Sequence, residues 1–444
     1  MDSGPRLRIA VVGAGVAGLS TAWLLNPRHE VVLYENADRI GGHANTVLAA
    51  VDEGEVPVDA GFIVFNPQTY PNFVELLKVL GVATQASTMS FAVSLDEGRL
   101  EYAGAPRALF AQPSNLINPR FWGMLKDLMR FYRSARGDMG ASEDLTLGDL
   151  LAGGGYGPAF RDWHVLPMAS AIWSAAPADI LAYPAAAFIR FQANHGLLQF
   201  GGRPVWRAVS GGSVEYVSRL ALPLAGRIRY ATGVARILRT GAGATIVDMK
   251  GGRDAFDHVV LACHADEALA LIDRPTAEER ALLGAFRYSR NLAVMHTDPG
   301  FMPKRGRVWS SWNYLGGAER SQASVTYWMN RLQSLPTKTD VFVTLNPPRP
   351  PREDSVITIA HYDHPLFDMG AIAAQKRLWR LQGVRSLWFC GAHFGAGFHE
   401  DALQAGLEVA EQLGGVKRPW TVANESGRIW LEPRRAPSLA KAAA

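Results

Sequence analysis

The sequence predicts a two-domain α/β protein in which one domain is assembled from separated parts of the chain. Three observations lead to this fold class. The 444 residues are more than one hydrophobic core usually organises, so two or more domains are expected. Residues 7–35 have the pattern of a strand, a glycine-rich turn, a helix and a second strand. Residues 387–413 repeat the order of strand, glycines and helix near the other end of the chain.

The composition is that of a folded globular protein and gives no support for nucleic-acid binding. Charged residues make up 19% and hydrophobic residues 48% of the chain, as in ordinary globular domains. The formal net charge is only +4, which weakly favours an anionic surface such as phospholipid. No dense Lys/Arg stripe alternates with aromatic residues, so nucleic acid is not an expected partner. The two cysteines, Cys263 and Cys390, give no disulfide framework and fit a cytoplasmic protein.

The apolar run from Ile9 to Leu25, which follows Arg6 and Arg8, resembles a signal peptide. Three glycines at fixed spacing within this run give it a different explanation, described next. No other segment approaches the roughly 20 apolar residues that a membrane-spanning helix needs. The sequence therefore predicts a protein without a membrane span.

The glycine-rich turn predicts a dinucleotide site. Gly13, Gly15 and Gly18 form a G-x-G-x-x-G pattern between a strand and a helix. Gly13 permits the tight turn, Gly15 lets the backbone approach a pyrophosphate, and Gly18 lets the helix pack on the strand. The N-terminus of the helix then faces the anion. Glu35 lies 22 residues after Gly13, at the end of the second strand, where its carboxylate can accept hydrogen bonds from ribose hydroxyls.

The residues after this unit indicate which dinucleotide is bound. The next segment carries these cofactor-site candidates in order: Arg39, Gly41, Gly42, His43, Asp59 and Gly61. This order resembles the FAD-binding region of the amine oxidase and phytoene desaturase superfamily. The resemblance implies FAD in a Rossmann-like domain of the GR2 type, with an inserted α+β substrate domain. His43 stands where the family often has an arginine. Cysteines that tether flavin in related oxidases are placed differently from Cys263, so non-covalent FAD is expected.

Several phrases narrow the resemblance to one subgroup of this superfamily. They include GFIVFNPQTYPN, LPMASAIWS, FQANHGLLQF and GFHED, and the similarity extends over residues 7–415. The subgroup consists of predicted FAD-dependent oxidoreductases found beside, or fused to, methyltransferases of the cyclopropane-fatty-acid-synthase type. The resemblance implies a lipid acyl substrate and a lipid methyltransferase as a partner.

The segment from Gly391 to Glu411 contains two histidines and two adjacent acids among glycines. Its spacing resembles the second FAD motif of the phytoene desaturases, in which Gly391, Ala392, Asp401 and Ala402 contact the flavin. A helix from Asp401 to Leu413 would direct its N-terminus at the flavin N1/O2 edge. The glycines favour a flavin cap over a metal site, and no further ligand set is evident.

The cap segment leaves two interpretations open. It either only holds the flavin or also contributes a residue that handles a proton. His399 and Glu400 are the catalytic candidates in this segment, while a carboxylate at Asp401 would also serve as an ordinary helix cap. His195, in the apolar phrase FQANHGLLQF, is a third catalytic candidate or a hydrogen-bonded structural histidine.

The domains are expected to be discontinuous. The FAD-binding domain is predicted to comprise residues 1–90, 205–270 and 385–417, with Val234 against the adenine. Residues 91–204 and 271–384 form the substrate domain, and residues 418–444 form a loosely held tail. The candidates for the substrate pocket are Asn194, Trp312, Tyr327 and Trp328, with core packing as the alternative for the aromatic residues.

An amphipathic helix is predicted at residues 119–133, because Phe121, Met124, Leu128 and Tyr132 recur at helical spacing. Basic residues occupy its polar positions. This helix either packs on its own domain with a solvated basic face or lies on the inner face of an anionic membrane and admits lipid.

The expected function is FAD-dependent transfer of a hydride from an apolar lipid, a fatty acyl chain of phospholipid, to flavin N5. The reaction would be a desaturation near a methyl branch or a double bond. A flavin-dependent isomerase or dehydroxylase of an isoprenoid or unsaturated lipid is an alternative. A flavin-containing accessory protein of a lipid methyltransferase is another. A polyamine oxidase is disfavoured, because no acidic set for such a substrate is apparent.

Overall fold

The computed structural model of the chain describes residues 5–137, 144–198, 204–317 and 324–432, without the side chains of residues 136 and 137. Its strands are β1 Arg8–Val12, β2 Glu30–Tyr34, β3 Thr46–Val51, β4 Gly54–Asp59, β5 Val64–Phe65, β6 Thr84–Ser87, β7 Phe91–Leu95, β8 Leu100–Ala103, β9 Trp206–Val209, β10 Ile228–Arg229, β11 Val234–Arg239, β12 Ala244–Asp248, β13 Arg253–Phe256, β14 His258–Leu261, β15 Arg287–His296, β16 Trp312–Gly316, β17 Ser324–Trp328, β18 Phe342–Leu345, β19 Val356–Leu366 and β20 Leu387–Phe389.

The α-helices within the same residues are α1 Val16–Leu25, α2 Pro71–Val79, α3 Pro106–Leu109, α4 Pro119–Gly137, α5 Leu147–Gly153, α6 Pro158–Phe160, α7 Leu166–Trp173, α8 Pro177–Leu181, α9 Ala185–Asn194, α10 Val214–Ala221, α11 Ala265–Leu271, α12 Ala277–Leu283, α13 Met329–Leu332, α14 Met369–Gln375 and α15 His399–Gly414. No helix of the described ranges is both long enough and apolar enough to cross a bilayer.

A parallel five-stranded sheet forms the first structural layer, in the order β10-β2-β1-β14-β20. Three separated parts of the chain supply its strands. The central strand β1 pairs on both sides, with Ile9 opposite Val31 and His258. Because parallel strands are covered on both faces, β1 consists almost entirely of buried apolar residues. This sheet confirms the α/β class expected from the glycine-rich unit.

Helices α1 and α15 pack against each other on this sheet, although they lie at opposite ends of the sequence. Gly406 makes their close approach possible, because a Cβ at this position would overlap the carbonyl oxygen of Ala17. The Thr21 hydroxyl donates to the Gly406 carbonyl over 2.9 Å. The contact places the N-terminus of α15 beside the glycine-rich turn that precedes α1.

A second, seven-stranded sheet has the order β19-β15-β18-β17-β16-β7-β8. Its neighbours pair antiparallel except β16 and β7, which are parallel. The long pair β15 and β19 runs in register from Arg287 opposite Leu366 to Met295 opposite Thr358. Helix α7 packs against β16, so the inserted part of the chain has mixed α+β structure, as predicted.

The expectation of a loosely held C-terminal tail is wrong for residues 418–432. The guanidinium of Arg418 is buried and pairs with the carboxylate of Glu411 at 2.8 Å. The rings of Trp420 and Trp23 stack with centroids 6.3 Å apart. Arg428 pairs with Asp401 at 2.6 Å. Composition suggested a loose tail, but these pairings with α15 and α1 hold the segment against the core. Residues 433–444 lie outside the described residues.

Candidate flavin site

A cavity of about 1370 Å³ lies between the two sheets. Its wall includes the glycine-rich turn, the ends of β2 and β14, the segment that enters α15, and helices α4, α7 and α9. Pockets for one small ligand are usually about 300–1,000 Å³. This cavity therefore has room for a large cofactor together with a second molecule.

The glycine-rich turn forms one end of the cavity. Gly13 has a φ of +100°, a region that glycine adopts without strain. A Cβ on Gly18 would overlap the carbonyl oxygen of Gly13, so the packing of α1 on the turn requires a glycine there. Gly15 and Val16 line the cavity, and no side chain caps the start of α1. The first N–H groups of α1 are thus placed to bind an anion.

Gly15 is required for a different reason from Gly18. A Cβ on Gly15 would meet no protein atom within 4 Å, and its φ of −73° is open to any residue. A side chain at this position would extend into the cavity, where the sequence places the pyrophosphate.

We expect Gly15→Val to weaken FAD binding at least tenfold while the fold survives, because valine fills only the cofactor's space. The flavin absorbance per mole of purified protein and a urea unfolding curve measure the two effects. Gly18→Val is the matched comparison: it should lower both FAD content and stability. Full FAD occupancy in Gly15→Val would contradict this assignment.

Glu35, Arg39, Gly41 and Gly42 are held on the cavity wall by local hydrogen bonds and backbone conformation. The Glu35 carboxylate accepts hydrogen bonds from the N–H groups of Ala14 at 2.8 Å and Ala37 at 2.9 Å. These bonds fix it on the cavity wall. Arg39 lines the cavity and donates to the carbonyl of Gly42 at 2.9 Å. Gly41 and Gly42 also line the cavity, with φ values of +107° and +59°; a Cβ on Gly42 would lie 3.1 Å from Cα of Gly15.

His43 lines the cavity but cannot supply the positive charge of the arginine that it replaces. Its ring lies 5.0 Å from the ring of Tyr362 and 5.3 Å from that of His364. Burial, together with the neighbouring histidines, holds the pKa of His43 well below its usual range. His43 is therefore neutral, and a phosphate there would depend on other donors. Gly61 completes this wall, and its lack of a Cβ lets it contact the His43 carbonyl.

Asp59 does not contact the cavity, which corrects the prediction that it binds the cofactor. Its buried carboxylate accepts hydrogen bonds from the Ser213 N–H at 2.9 Å, the Thr46 hydroxyl at 2.6 Å and the Gln333 amide at 2.8 Å. Burial raises its pKa to about 6. Asp59 thus ties β4 to the start of α10 behind the cavity wall. The predicted adenine contact Val234 does lie on the wall.

The segment that enters α15 forms the opposite side of the flavin end. Gly391, Ala392, Phe398, His399 and Ala402 all line the cavity. Gly391 has a φ of +152°, and α15 begins at His399 rather than at Asp401. The N-terminus of a 16-residue helix therefore points at the cavity, where its partial positive charge would stabilise negative charge on a bound cofactor.

Glu400 is wrong as a catalytic candidate. Its fully buried carboxylate faces away from the cavity and accepts hydrogen bonds from the N–H groups of Asn72 and Phe73, both at 3.0 Å. The amide of Gln404 donates to it at 2.9 Å. Glu400 therefore satisfies the free N–H groups at the start of α2. Asp401 also stays off the cavity wall: it accepts from the Phe398 N–H at 2.8 Å and pairs with Arg428.

His399 faces the cavity, but one ring nitrogen is already engaged. Its Nε2 lies 2.7 Å from the buried hydroxyl of Tyr216, and its ring stacks on Phe62 at 3.8 Å and 9°. Burial lowers the pKa of His399 to about 3. This ring is held rigidly as part of the wall, and a proton-handling role for it stays a prediction.

Within the described parts of the chain, His195 uses one ring nitrogen in a hydrogen bond, which leaves the other nitrogen to act as a base. Its Nδ1 lies 2.9 Å from the carbonyl oxygen of Phe191. A carbonyl only accepts, so Nδ1 carries the proton and Nε2 keeps its lone pair. The ring stacks on Phe191 at 3.9 Å and lies 5.9 Å from Phe398, which is the residue that precedes α15. His195 lines the cavity, and burial lowers its pKa to about 4, so it is neutral near pH 7.

The four substrate-pocket candidates separate into two pairs. Trp312 and Tyr327 line the cavity, with ring centroids 4.9 Å apart. Trp328 instead packs against Trp309 and donates to Asp340 at 2.8 Å. It points to the other side of the sheet, because neighbours on a strand face opposite ways. Asn194 is exposed at the end of α9. The predictions for Trp328 and Asn194 are therefore corrected.

Sequence reasoning missed much of the wall. Eight of the eleven histidines line this one cavity: His43, His164, His195, His264, His361, His364, His393 and His399. They come from segments far apart in the sequence and carry no common spacing. The apolar side of α4 is also wall, through Met124, Leu125, Leu128, Met129 and Tyr132. Its helical periodicity was visible in the sequence, but that pattern does not distinguish a pocket from a core.

The buried histidines predict a fall in stability on acidification. Burial lowers the pKa of His195 and His364 to about 4 and of His393 and His399 to about 3. Between these values and the unfolded value near 6.5, the unfolded chain binds more protons. Each group then lowers the free energy of unfolding by up to about 1.4 kcal/mol per pH unit of acidification. Asp59 opposes this trend, because its raised pKa makes the folded state bind one proton that the unfolded state does not bind at the same pH.

We therefore expect the urea concentration at the unfolding midpoint to decrease when the pH is lowered from 7.5 to 5.5. It should change little when the pH is raised from 7.5 to 8.5. Urea unfolding curves at these three values measure the effect. An equal or higher midpoint at pH 5.5 would show that these histidines are not buried as neutral rings.

The cavity residues fit FAD and define the class of protein. The open α1 N-terminus, the fixed Glu35 carboxylate, the wall at Val234 and the α15 N-terminus surround one continuous space. Cys263 also lines it, and burial raises its thiol pKa well above the usual range. The protonated thiol is a poor nucleophile, which favours non-covalent binding. Together these features define a flavin-binding protein.

Comparison with known proteins identifies the family. The family model described as flavin containing amine oxidoreductase matches residues 16–334. The chain belongs to this family, and it is an FAD-binding enzyme.

Curated relatives in the family have different names. The Mycobacterium tuberculosis protein AofH, named as a flavin-containing monoamine oxidase, is 27% identical over 285 residues, which cover 61% of this chain and 60% of that protein. The chain thus matches about three fifths of the relative's length. The zeta-carotene desaturase of Zea mays is 42% identical over 79 residues, which cover 18% of this chain and 13% of the desaturase.

Solved structures share the fold. Cyclohexylamine oxidase from Brevibacterium oxydans IH-35A superposes with a TM-score of 0.68 at 17% identity, covering 92% of this chain and 100% of that one. A CLA-producing fatty acid isomerase from P. acnes gives 0.64 at 15% identity, covering 93% and 99%. At these identities the similarity shows the fold alone.

Proposed function

We propose that this FAD-dependent enzyme removes a hydride from a fatty acyl chain, at an activated position near a double bond or a methyl branch. The observation that carries the proposal is the character of the cavity beyond the flavin end. We call this part the apolar end; it comprises the lining residues contributed by segments 89–132, 164–206 and 312–345.

The apolar end is built from large hydrophobic side chains. They include Met89, Phe91, Leu109, Met124, Leu125, Leu128, Met129, Met168, Ile172, Trp173, Phe191, Leu197, Trp206, Trp312 and Leu345. Among the described lining residues, the charged ones are Glu35, Arg39, Glu267 and Asp363, and all four lie outside the apolar end. Burial of CH₂ groups against such a wall is worth about 0.8 kcal/mol each.

The same wall is unfavourable for a polyamine. An ammonium group that enters a hydrophobic pocket loses its hydration, and a carboxylate usually compensates for this loss. None of the described residues of the apolar end offers one. Family membership alone does not choose between amines and lipids, because the related proteins are named for amines, a carotene and a fatty acid. The lining of the apolar end supports a lipid.

We assign His195 as the base that removes the proton from the substrate. Bound FAD supplies a hydride acceptor, flavin N5. Loss of a hydride from an activated carbon makes the neighbouring C–H bond strongly acidic, so even a weak base suffices. Neutral His195, with Nδ1 held by Phe191, would take this proton on Nε2 and leave a new carbon–carbon double bond.

An anaerobic visible spectrum of the FAD-loaded protein tests the proposal. Vesicles of phospholipid with unsaturated and methyl-branched chains are added, and bleaching of the flavin bands is the expected result. Bleaching should accompany a product two mass units lighter. No bleaching and no altered lipid would overturn the proposal and favour an accessory role beside a lipid methyltransferase. A rearranged lipid of unchanged mass with oxidised flavin would indicate an isomerase instead.

A further inference from the structure

Helix α4 has an apolar inner side and an exposed outer side that carries both hydrophobic and basic residues. Its inner side lines the cavity through Met124, Leu128 and Tyr132. Its outer side is exposed at Trp122, Lys126, Met129 and Arg133, which recur at helical spacing and so form one stripe. Met129 belongs to both sides, because it lines the cavity and is also 39% exposed. The cavity therefore reaches the protein surface beside this stripe.

Exposed hydrophobic side chains continue this stripe into the turn that precedes α4. Leu116, Ile117, Trp122 and Met129 lie within fourteen residues, and Ile117 is 86% exposed. The Trp122 ring lies 5.4 Å from Phe110 and donates its N–H to the Leu116 carbonyl at 2.9 Å. Single exposed hydrophobics are common, but a fixed cluster continuous with the exposed stripe of α4 indicates a binding surface.

The segment that forms this surface is basic. Residues 104–135 contain five basic residues and one acidic residue, a net charge of +4 that equals the formal net charge of all 444 residues. The acidic residue, Asp127, is neutralised by Arg130 at 3.0 Å, and Arg130 also lies over the Tyr156 ring at 4.1 Å. Arg120, Lys126 and Arg133 are exposed and give the stripe its positive charge.

We propose that the outer surface of α4 and the preceding turn, residues 116–133, bind an anionic phospholipid surface. The hydrophobic side chains would enter the boundary between headgroups and acyl chains, and the basic residues would pair with headgroup phosphates. The mouth at Met129 would then open directly onto the acyl chains. The purpose of this docking rests on the proposed acyl substrate, whereas the binding itself does not.

Flotation with vesicles tests the docking. The FAD-loaded protein is mixed with vesicles of phosphatidylcholine alone or with 30% phosphatidylglycerol, at low and high salt. We expect flotation only with phosphatidylglycerol and a marked loss at high salt. Arg120→Gln/Lys126→Gln/Arg133→Gln should weaken binding about 100-fold, since each basic residue near the surface contributes about a factor of five. Leu116→Ser/Ile117→Ser should weaken it at least tenfold.

Two variants elsewhere on the surface serve as matched controls. Leu222→Ser removes a hydrophobic side chain that is 74% exposed, and Arg274→Gln removes a basic side chain that is 94% exposed; neither should change flotation. Equal flotation of the wild type with both vesicle types, or unchanged binding of the triple variant, would overturn the proposal. A fatty acid delivered in mild detergent separates the two proposals. Flavin bleaching without vesicle binding would overturn docking alone, and vesicle binding without bleaching would overturn only the acyl substrate.

Discussion

His195→Gln is expected to slow flavin reduction by the lipid substrate by about 100- to 10,000-fold, the usual contribution of a positioned general base. The glutamine amide cannot take a proton at neutral pH. FAD content should be unchanged, because His195 lies at the apolar end and not at the glycine-rich turn. The rate constant for bleaching in an anaerobic stopped-flow experiment measures the effect.

The pH profile distinguishes a base from a merely structural histidine. Because the pKa of His195 is lowered to about 4, the wild-type rate constant should rise with pH through this value and then level off. The variant should lack this rise. Asn194→Ala is the matched control, because Asn194 is next to His195 in the sequence but its side chain is exposed and lies off the cavity. A reduction rate for His195→Gln within threefold of the wild type would exclude His195 as the base.

Arg428→Ala is expected to lower the free energy of unfolding by about 3–5 kcal/mol, the range for leaving one member of a buried ion pair without its partner. Asp401 is fully buried and pairs with Arg428 at 2.6 Å. The variant would leave this carboxylate uncompensated at the start of α15. The Phe398 N–H also bonds to Asp401, so the wall residue Phe398 should loosen and FAD should bind more weakly. Urea unfolding and FAD titration measure the two effects.

Another ion pair of the same C-terminal segment provides the control. Arg380 and Glu432 are 2.7 Å apart, with side chains 48% and 36% exposed. Exposed pairs contribute about 0–1 kcal/mol, so Arg380→Ala should change stability little. Adding Asp401→Asn to Arg428→Ala should recover part of the loss, because no unpaired buried charge remains. A loss below 1 kcal/mol for Arg428→Ala would show that residues 418–432 are not fixed to α15.

The parts of the site that follow from local backbone conformation were predictable from the sequence. Gly13 acts through its own φ value, and Gly15 and Gly18 act through the space beside their own Cα atoms. Glu35 is placed by the strand that ends just before it. A helix from Asp401 to Leu413 was also predicted, and the observed helix begins two residues earlier and ends one residue later. Each of these features depends on residues within one supersecondary unit, so a local pattern determines it.

The roles of neighbouring polar residues were not predictable in the same way. Glu400 and His399 are adjacent, yet one caps α2 through Asn72, 328 residues away, while the other contacts the cavity. The direction of each side chain is set by packing between distant segments. The same reason explains Asp59, which bonds to Ser213 behind the wall.

The sequence by itself determined the flavin domain and the family to which the chain belongs, because strand, glycine turn, helix and acid follow one another in order. Only the tertiary structure decided which histidines reach the cavity and which acids are structural. It also placed the apolar side of α4 on the cavity wall and the C-terminal segment against α15. These outcomes depend on contacts between parts of the chain hundreds of residues apart, and hydrophobic periodicity carries no information about such pairings.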